Sequence, residues 1–206
     1  MIARRGGLAL AVLMWLVSVP SCSITRPSIE RHLFTIEVSG AAPADAVRIP
    51  ATLKVGRISM EPPYGGTSFM YRIGALQYEA DYYNGFVAAP NELLGLEIAR
   101  WLRGAGLFAA VREPASPLTG DYVLDGLVTE LYGDLRNSED PAAVLAIRVY
   151  LRRADAQGAL VFEHMYSQRV PIGNTSPEAL AHGYGVALGQ VMTKLERDLV
   201  ALGLAK

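Results

Sequence analysis

The 206-residue chain has a single cysteine, three histidines, no surplus of either charge and no apolar run long enough to cross a bilayer. Each shortage removes a class of function. His32, His164 and His182 lie far apart, with no His-x-x-x-His or related spacing, so no metal-ligand motif is present in the sequence. Neither a Gly-x-Ser-x-Gly elbow nor a glycine-rich loop ending in Lys-Ser/Thr occurs, which leaves no sequence case for a serine hydrolase or a phosphate loop. The 19 basic and 20 acidic side chains nearly cancel, and this balance gives no electrostatic case for nucleic-acid binding. No run of Lys and Arg points to lipid headgroup recognition either.

What is present begins at the N terminus. Arg4 and Arg5 precede Leu8–Val19, an apolar stretch of twelve residues broken only by Ser18, and Val19-Pro20-Ser21-Cys22 follows. A spanning helix needs about twenty residues, so the layout is that of a secretory signal. Its end resembles a lipobox, in which signal peptidase cuts before a cysteine that becomes lipid-modified. On this reading residues 1–21 are a lipoprotein signal peptide, Cys22 is the lipidation site and new N terminus, 22–31 form a lipidated tether, and 32–206 form the folded domain. Acylation consumes the lone thiol, which excludes disulfides and thiol catalysis. One acyl chain anchors only marginally, at about 0.8 kcal/mol per buried methylene, so stable attachment takes several chains. Ser23, where an Asp commonly retains lipoproteins in the inner membrane, points to the periplasmic face of the outer membrane.

Removing the signal leaves 185 residues, with 17 basic side chains against 20 acidic ones, and that length supports one domain with its own core. Periodicity predicts strands over 32–38, 52–60 with a bulge at Gly56, 69–75 and 76–83 as two strands or one bent hairpin, and 107–111. Long strands follow over 121–132, with a twist or bulge at Gly126, and over 144–153 and 159–170. Pro90 opens a helix running to about Arg103, with Leu94, Ile98, Trp101 and Leu102 on one face and Gly104 and Gly106 ending it. Ser176-Pro177-Glu178 is a strong start for a second, long helix ended by Gly203. Strands, helix, strands, helix is an α+β order: a single domain with a largely antiparallel sheet and two main helices packed on it.

The candidate chemistry is sparse. Glu79 with Asp81, and Glu139 with Asp140, read as solvated acids. Gly183 and Gly185, flanking Tyr184 inside the last helix, read as contacts for close packing against strands or a neighbouring subunit. The region from Tyr64 to Phe86 is richer, because Tyr64, Tyr71, Tyr78, Tyr82, Tyr83 and Phe86 fall within fewer than thirty residues. Tyrosine joins a large apolar face to a polar tip and is enriched at interfaces. Tyr64, Tyr71, Tyr82 and Tyr83 are therefore the candidate partner-binding residues, set against the plainer reading that half of these rings fill the core. No catalytic, cofactor-binding or metal-binding residue is expected.

The stretch FMYRIGALQYEADYYNGFVAAPNELLGLEIARWLRGAGLFAAV (69–111) resembles the core of the ABC-type transport auxiliary lipoproteins, which include the paraquat-inducible protein C lipoproteins. The shared features are the Tyr71-Arg72 pair, the helix-opening Pro90, and Trp101-Leu102 followed by Gly106-Leu107-Phe108. DYVLDGLVTELYGDLR (121–136), AVLAIRVYLRRADAQGALVFEHMY (143–166) and the Ser176-Pro177-Glu178 helix start continue it, over about residues 32–202. Phe86-Val87-Ala88-Ala89-Pro90 departs from the Trp-Ala-Glu-Pro-like run of many relatives. The resemblance implies a non-enzymatic periplasmic accessory beside an ABC permease, its ATPase and an MCE-domain protein, tethering or capping a conduit for phospholipid or other lipid transport, and sometimes self-associating. Cys22 is the one functional residue it carries over. The competing expectation is a structural or regulatory outer-membrane lipoprotein, an assembly factor or an activator of a cell-wall enzyme, since a fold alone does not decide function.

Overall fold

The computed structural model describes residues 30–38 and 49–204, so the signal segment and Cys22 lie outside the described residues. Among the described residues the elements run β1 (His32–Phe34), β2 (Ile49–Met60), β3 (Ser68–Arg72), β4 (Tyr78–Phe86), α1 (Pro90–Ala105), β5 (Phe108–Arg112), β6 (Tyr122–Asp134), β7 (Ala142–Arg153), β8 (Leu160–Pro171) and α2 (Pro177–Ala201). The predicted run over 69–83 resolves into the β3–β4 hairpin, turned where Ile73 N donates to Gln77 O at 3.1 Å.

Strand β6 organises the sheet. One of its edges is paired antiparallel with β7, which in turn pairs antiparallel with β8. The other edge is divided. Its N-terminal half, Tyr122–Val128, lies parallel to β2, and its C-terminal end, Gly133-Asp134, lies parallel to Tyr71-Arg72 of β3. Two branches therefore leave the same edge: β2 carries β5, and β3 carries β4 and then β1. The two longest ladders are antiparallel as expected, while both branches join β6 in parallel. The expected irregularity at Gly56 is present as a register shift between Val55 and Ile58. Gly126 instead pairs regularly with Val149, and the β6–β7 irregularity falls between Val128 and Glu130.

The helices form as their sequences dictate. Pro90 opens α1, and Gly106, at φ 65°, closes it in a left-handed turn that a side chain would strain. Ser176 caps α2, its Oγ accepting from Ala179 N at 3.2 Å, with Pro177 next and Glu178 in the first turn. Both helices lie on one face of the sheet, α1 over β2 and β5, and α2 over β7 and β8. Leu145, Ile147, Val149 and Leu151 alternate toward them and are at most 1% exposed. At Gly183 an added Cβ would stand 2.7 Å from Ala143 Cβ, so α2 lies directly on β7 and the close-packing reading of this glycine holds for a strand. Trp101 Nε1 donates to Glu196 Oε2 at 3.3 Å and joins the two helices.

Beneath α2, Phe69 is fully buried among Phe34, Phe86 and Tyr184, with ring centroids at 5.4, 4.8 and 6.2 Å. Tyr184 is 1% exposed and its hydroxyl has no hydrogen-bond partner among the described residues. A buried hydroxyl without a partner costs about 1–3 kcal/mol. Tyr184→Phe is accordingly expected to raise stability by about 1 kcal/mol, read as a higher midpoint in urea with an unchanged slope. A loss of stability would show that the hydroxyl is satisfied in solution.

Candidate functional site

The β3–β4 hairpin holds the feature that distinguishes this surface. Ser68 pairs with Gly85, and the next pair is Met70 with Ala80, so two steps on β3 face five on β4. The surplus residues of β4 leave the ladder as a wide bulge. Asp81 pins it. Its Oδ1 accepts from Tyr83 N at 2.8 Å and Asn84 N at 2.9 Å, and its Oδ2 accepts from Asn84 Nδ2 and from the Tyr71 hydroxyl, each at 3.0 Å. Burial alone would push the Asp81 carboxyl up, but the bonds from Asn84, Tyr83 and Tyr71 outweigh it and hold the group below the ordinary carboxylate range. Asp81 is thus half-buried and fully engaged, which corrects the expectation of a solvated acid. Glu79 and Glu139 are exposed as expected, and the exposed Asp140 pairs with Arg169 at 2.9 Å.

The bulge turns Tyr82 and Tyr83 outward, 63% and 56% exposed, with ring centroids 5.3 Å apart and planes at 82°. In β1, Leu33 stands opposite Gly85, and Tyr83 and Val87 lie two residues to either side of that glycine. Leu33 and Val87 are exposed as well, at 55% and 57%.

The other two candidate tyrosines are half-buried and occupied. Burial, then the bond to Asp81, raises the Tyr71 phenol above its ordinary value, so its hydroxyl stays a donor to that carboxylate. Tyr64 stacks on Tyr132 at 6.1 Å and meets Tyr78 edge-on at 6.4 Å. The Arg72 guanidinium sits over Tyr78 and Tyr132, and Arg72 Nη2 donates to Ala75 O at 2.8 Å. From the sequence alone Leu33 and Val87 have no functional role, and Asp81 reads only as a solvated acid. For Asp81 a sign was available: Asp81-Tyr-Tyr-Asn84-Gly85 puts turn-forming residues inside a run of strand formers.

The histidines do not converge. His32 and His182 are exposed, and the His164 ring lies 6.1 Å from that of Phe162 and 4.6 Å from that of Tyr166. Among the described residues no group of three or more His, Cys, Asp or Glu side chains is placed to hold a metal ion, and no helix is long and apolar enough to cross a membrane.

The fold defines an α+β protein with a branched sheet covered by two helices on one face, presenting an apolar tyrosine bulge at the end of one branch. No protein-family model matches the chain, and no curated protein matches it by sequence. Solved structures do share the fold. Protein XCC0632 from Xanthomonas campestris, described under the family model DUF330, superposes with a TM-score of 0.73 at 19% identity, covering 84% of this chain and 96% of that one. An uncharacterized protein superposes with a TM-score of 0.63 at 15% identity, covering 80% and 99%. Lipoprotein GNA1162 from Neisseria meningitidis is a looser match, TM-score 0.41 at 15% identity, covering 74% and 99%. At such identities the likeness to the first two is one of fold.

Proposed function

We propose that this chain is a lipid-anchored, non-enzymatic accessory of an ABC/MCE-type lipid transport system, held by acylated Cys22 at the periplasmic face of the outer membrane, where it tethers or caps the conduit. The observation that carries the reading is the pinned β4 bulge, which holds Tyr82 and Tyr83 exposed beside Leu33 and Val87. Aromatic side chains fixed by a rigid backbone lose little freedom on docking, and such residues dominate binding energy at protein interfaces. The reading is supported further by the lipobox-like segment and by the resemblance of residues 32–202 to transport auxiliary lipoproteins. The partner assigned to the bulge is the MCE-domain protein, with the permease and ATPase behind it and further copies of this chain alongside.

The test is chemical crosslinking of the full-length protein in intact envelopes, with the captured proteins identified by mass spectrometry. Capture of an MCE-domain protein through residues 82–87 is the expected result, and Cys22→Ala is expected to abolish co-fractionation with the outer membrane. Capture of cell-wall or outer-membrane assembly enzymes through the same residues would replace the transport role by that of a structural or regulatory lipoprotein.

A further inference from the structure

The junction of β2, β6 and β7 forms a cavity of about 550 Å³, with Pro114, Thr119 and Gly120 on a further wall. Three cations line it, Lys54, Arg57 and Arg152, against two acids, Asp125 and Asp155. Asp125 is paired with a cation, whereas Asp155 accepts from a backbone N–H and keeps its negative charge. Asp125 Oδ2 accepts from Arg152 Nε at 2.9 Å and its Oδ1 from the backbone N of Arg57 at 2.9 Å, while Asp155 Oδ1 accepts from Gly158 N at 2.8 Å. Lys54 Nζ reaches only the carbonyl oxygen of Ser116, at 2.9 Å, and neither Lys54 nor the Arg57 guanidinium forms an ion pair among the described residues. Thr119 adds a hydroxyl, and Pro114, Val123 and Ala154 add an apolar wall.

We infer that this cavity is a binding site for a phosphate group, with Lys54 and Arg57 as its charge partners. Among the described residues Lys54 and Arg57 carry no ion pair and outweigh the one acid without a cationic partner, Asp155, so the cavity favours an anion, and Arg and Lys both bind phosphate through charge-assisted hydrogen bonds. The apolar wall leaves room for the carbon chain that carries a phosphate monoester. Lys54 and Arg57 come from β2 and Arg152 from β7, so no run of basic residues marks the site in the sequence. The assignment stands apart from the docking role of the β4 bulge, because it uses none of the same residues.

The experiment is calorimetric titration of the full-length protein in maltoside micelles with inorganic phosphate, dihexanoyl phosphatidic acid and dihexanoyl phosphatidylcholine. Saturable binding of the first or second, and none of the third, is expected. Lys54→Gln/Arg57→Gln is expected to weaken it by about tenfold or more. Arg57→Gln alone changes an exposed side chain, keeps the fold, and is expected to weaken binding by about threefold or more. Equal affinity for phosphate and phosphatidic acid identifies a free anion as the ligand; binding of phosphatidic acid alone identifies a lipid headgroup. Absence of saturable binding to both, or a double variant that keeps its thermal midpoint and binds within about twofold of wild type, overturns the inference.

Discussion

Replacing Tyr82 and Tyr83 together with alanine is expected to weaken partner binding by about a hundredfold or more while leaving the fold intact. Central aromatic residues of an interface cost about 2 kcal/mol or more each on truncation, and about 1.4 kcal/mol is a factor of ten. Both rings are more than half exposed and make their ring contact with each other, so the free protein loses little packing when they go. The affinity of detergent-solubilised variants for the crosslinked partner, measured by surface plasmon resonance, checks the first half. A thermal midpoint within about 2 °C of wild type checks the second. Tyr64→Ala and Tyr71→Ala supply the contrast, because their rings are packed under neighbours and their loss shows as unfolding. A Tyr82/Tyr83 double variant that binds as well as wild type would remove the bulge from the interface.

Phe69→Ala is expected to cost about 3–5 kcal/mol, the usual range for deleting a buried phenylalanine. Phe69 is fully buried and stands where three elements meet: Phe34 in β1, Phe86 in β4 and Tyr184 in α2. These rings belong to separate elements, so the vacated volume cannot be closed by shifting one side chain. In a domain of this size each kcal/mol lowers the midpoint by about 2–4 °C, which places the expected drop near 10 °C. Equilibrium unfolding in urea gives the same quantity directly. A cost below about 1 kcal/mol would mean that the three rings collapse onto one another.

The sequence made the helices legible because their signals are local. Pro90 and Gly106 bound α1, and Ser176-Pro177-Glu178 opens α2, each acting through backbone geometry within one turn. Alternation marked β6, β7 and β8 where one of their faces is less buried, as in the second half of β7. It did not show that β2 and β3 share an edge of β6, since a strand with one buried face reads the same in parallel and antiparallel pairing. The tyrosine region was found by composition, but which rings face outward depended on the bulge, and the bulge depends on Asp81, whose four hydrogen bonds include one from Tyr71, ten residues earlier. The cavity was hidden for the same reason: Lys54 and Arg152 are brought together only by the pairing of β2 and β7 with β6.

That shared edge has an energetic consequence. The tyrosine bulge hangs from Gly133-Asp134 through β3, whereas the cationic cavity is built on Tyr122–Val128 through β2, and the register irregularity between Val128 and Glu130 falls between the two attachments. Between the two attachments lies a strand that is itself clamped along its opposite edge by twelve residue pairs to β7, and α1, which follows β4, packs on β2 as a second link. Among the described residues, substitutions at the bulge and in the cavity share no hydrogen-bond partner and are expected to be additive in free energy.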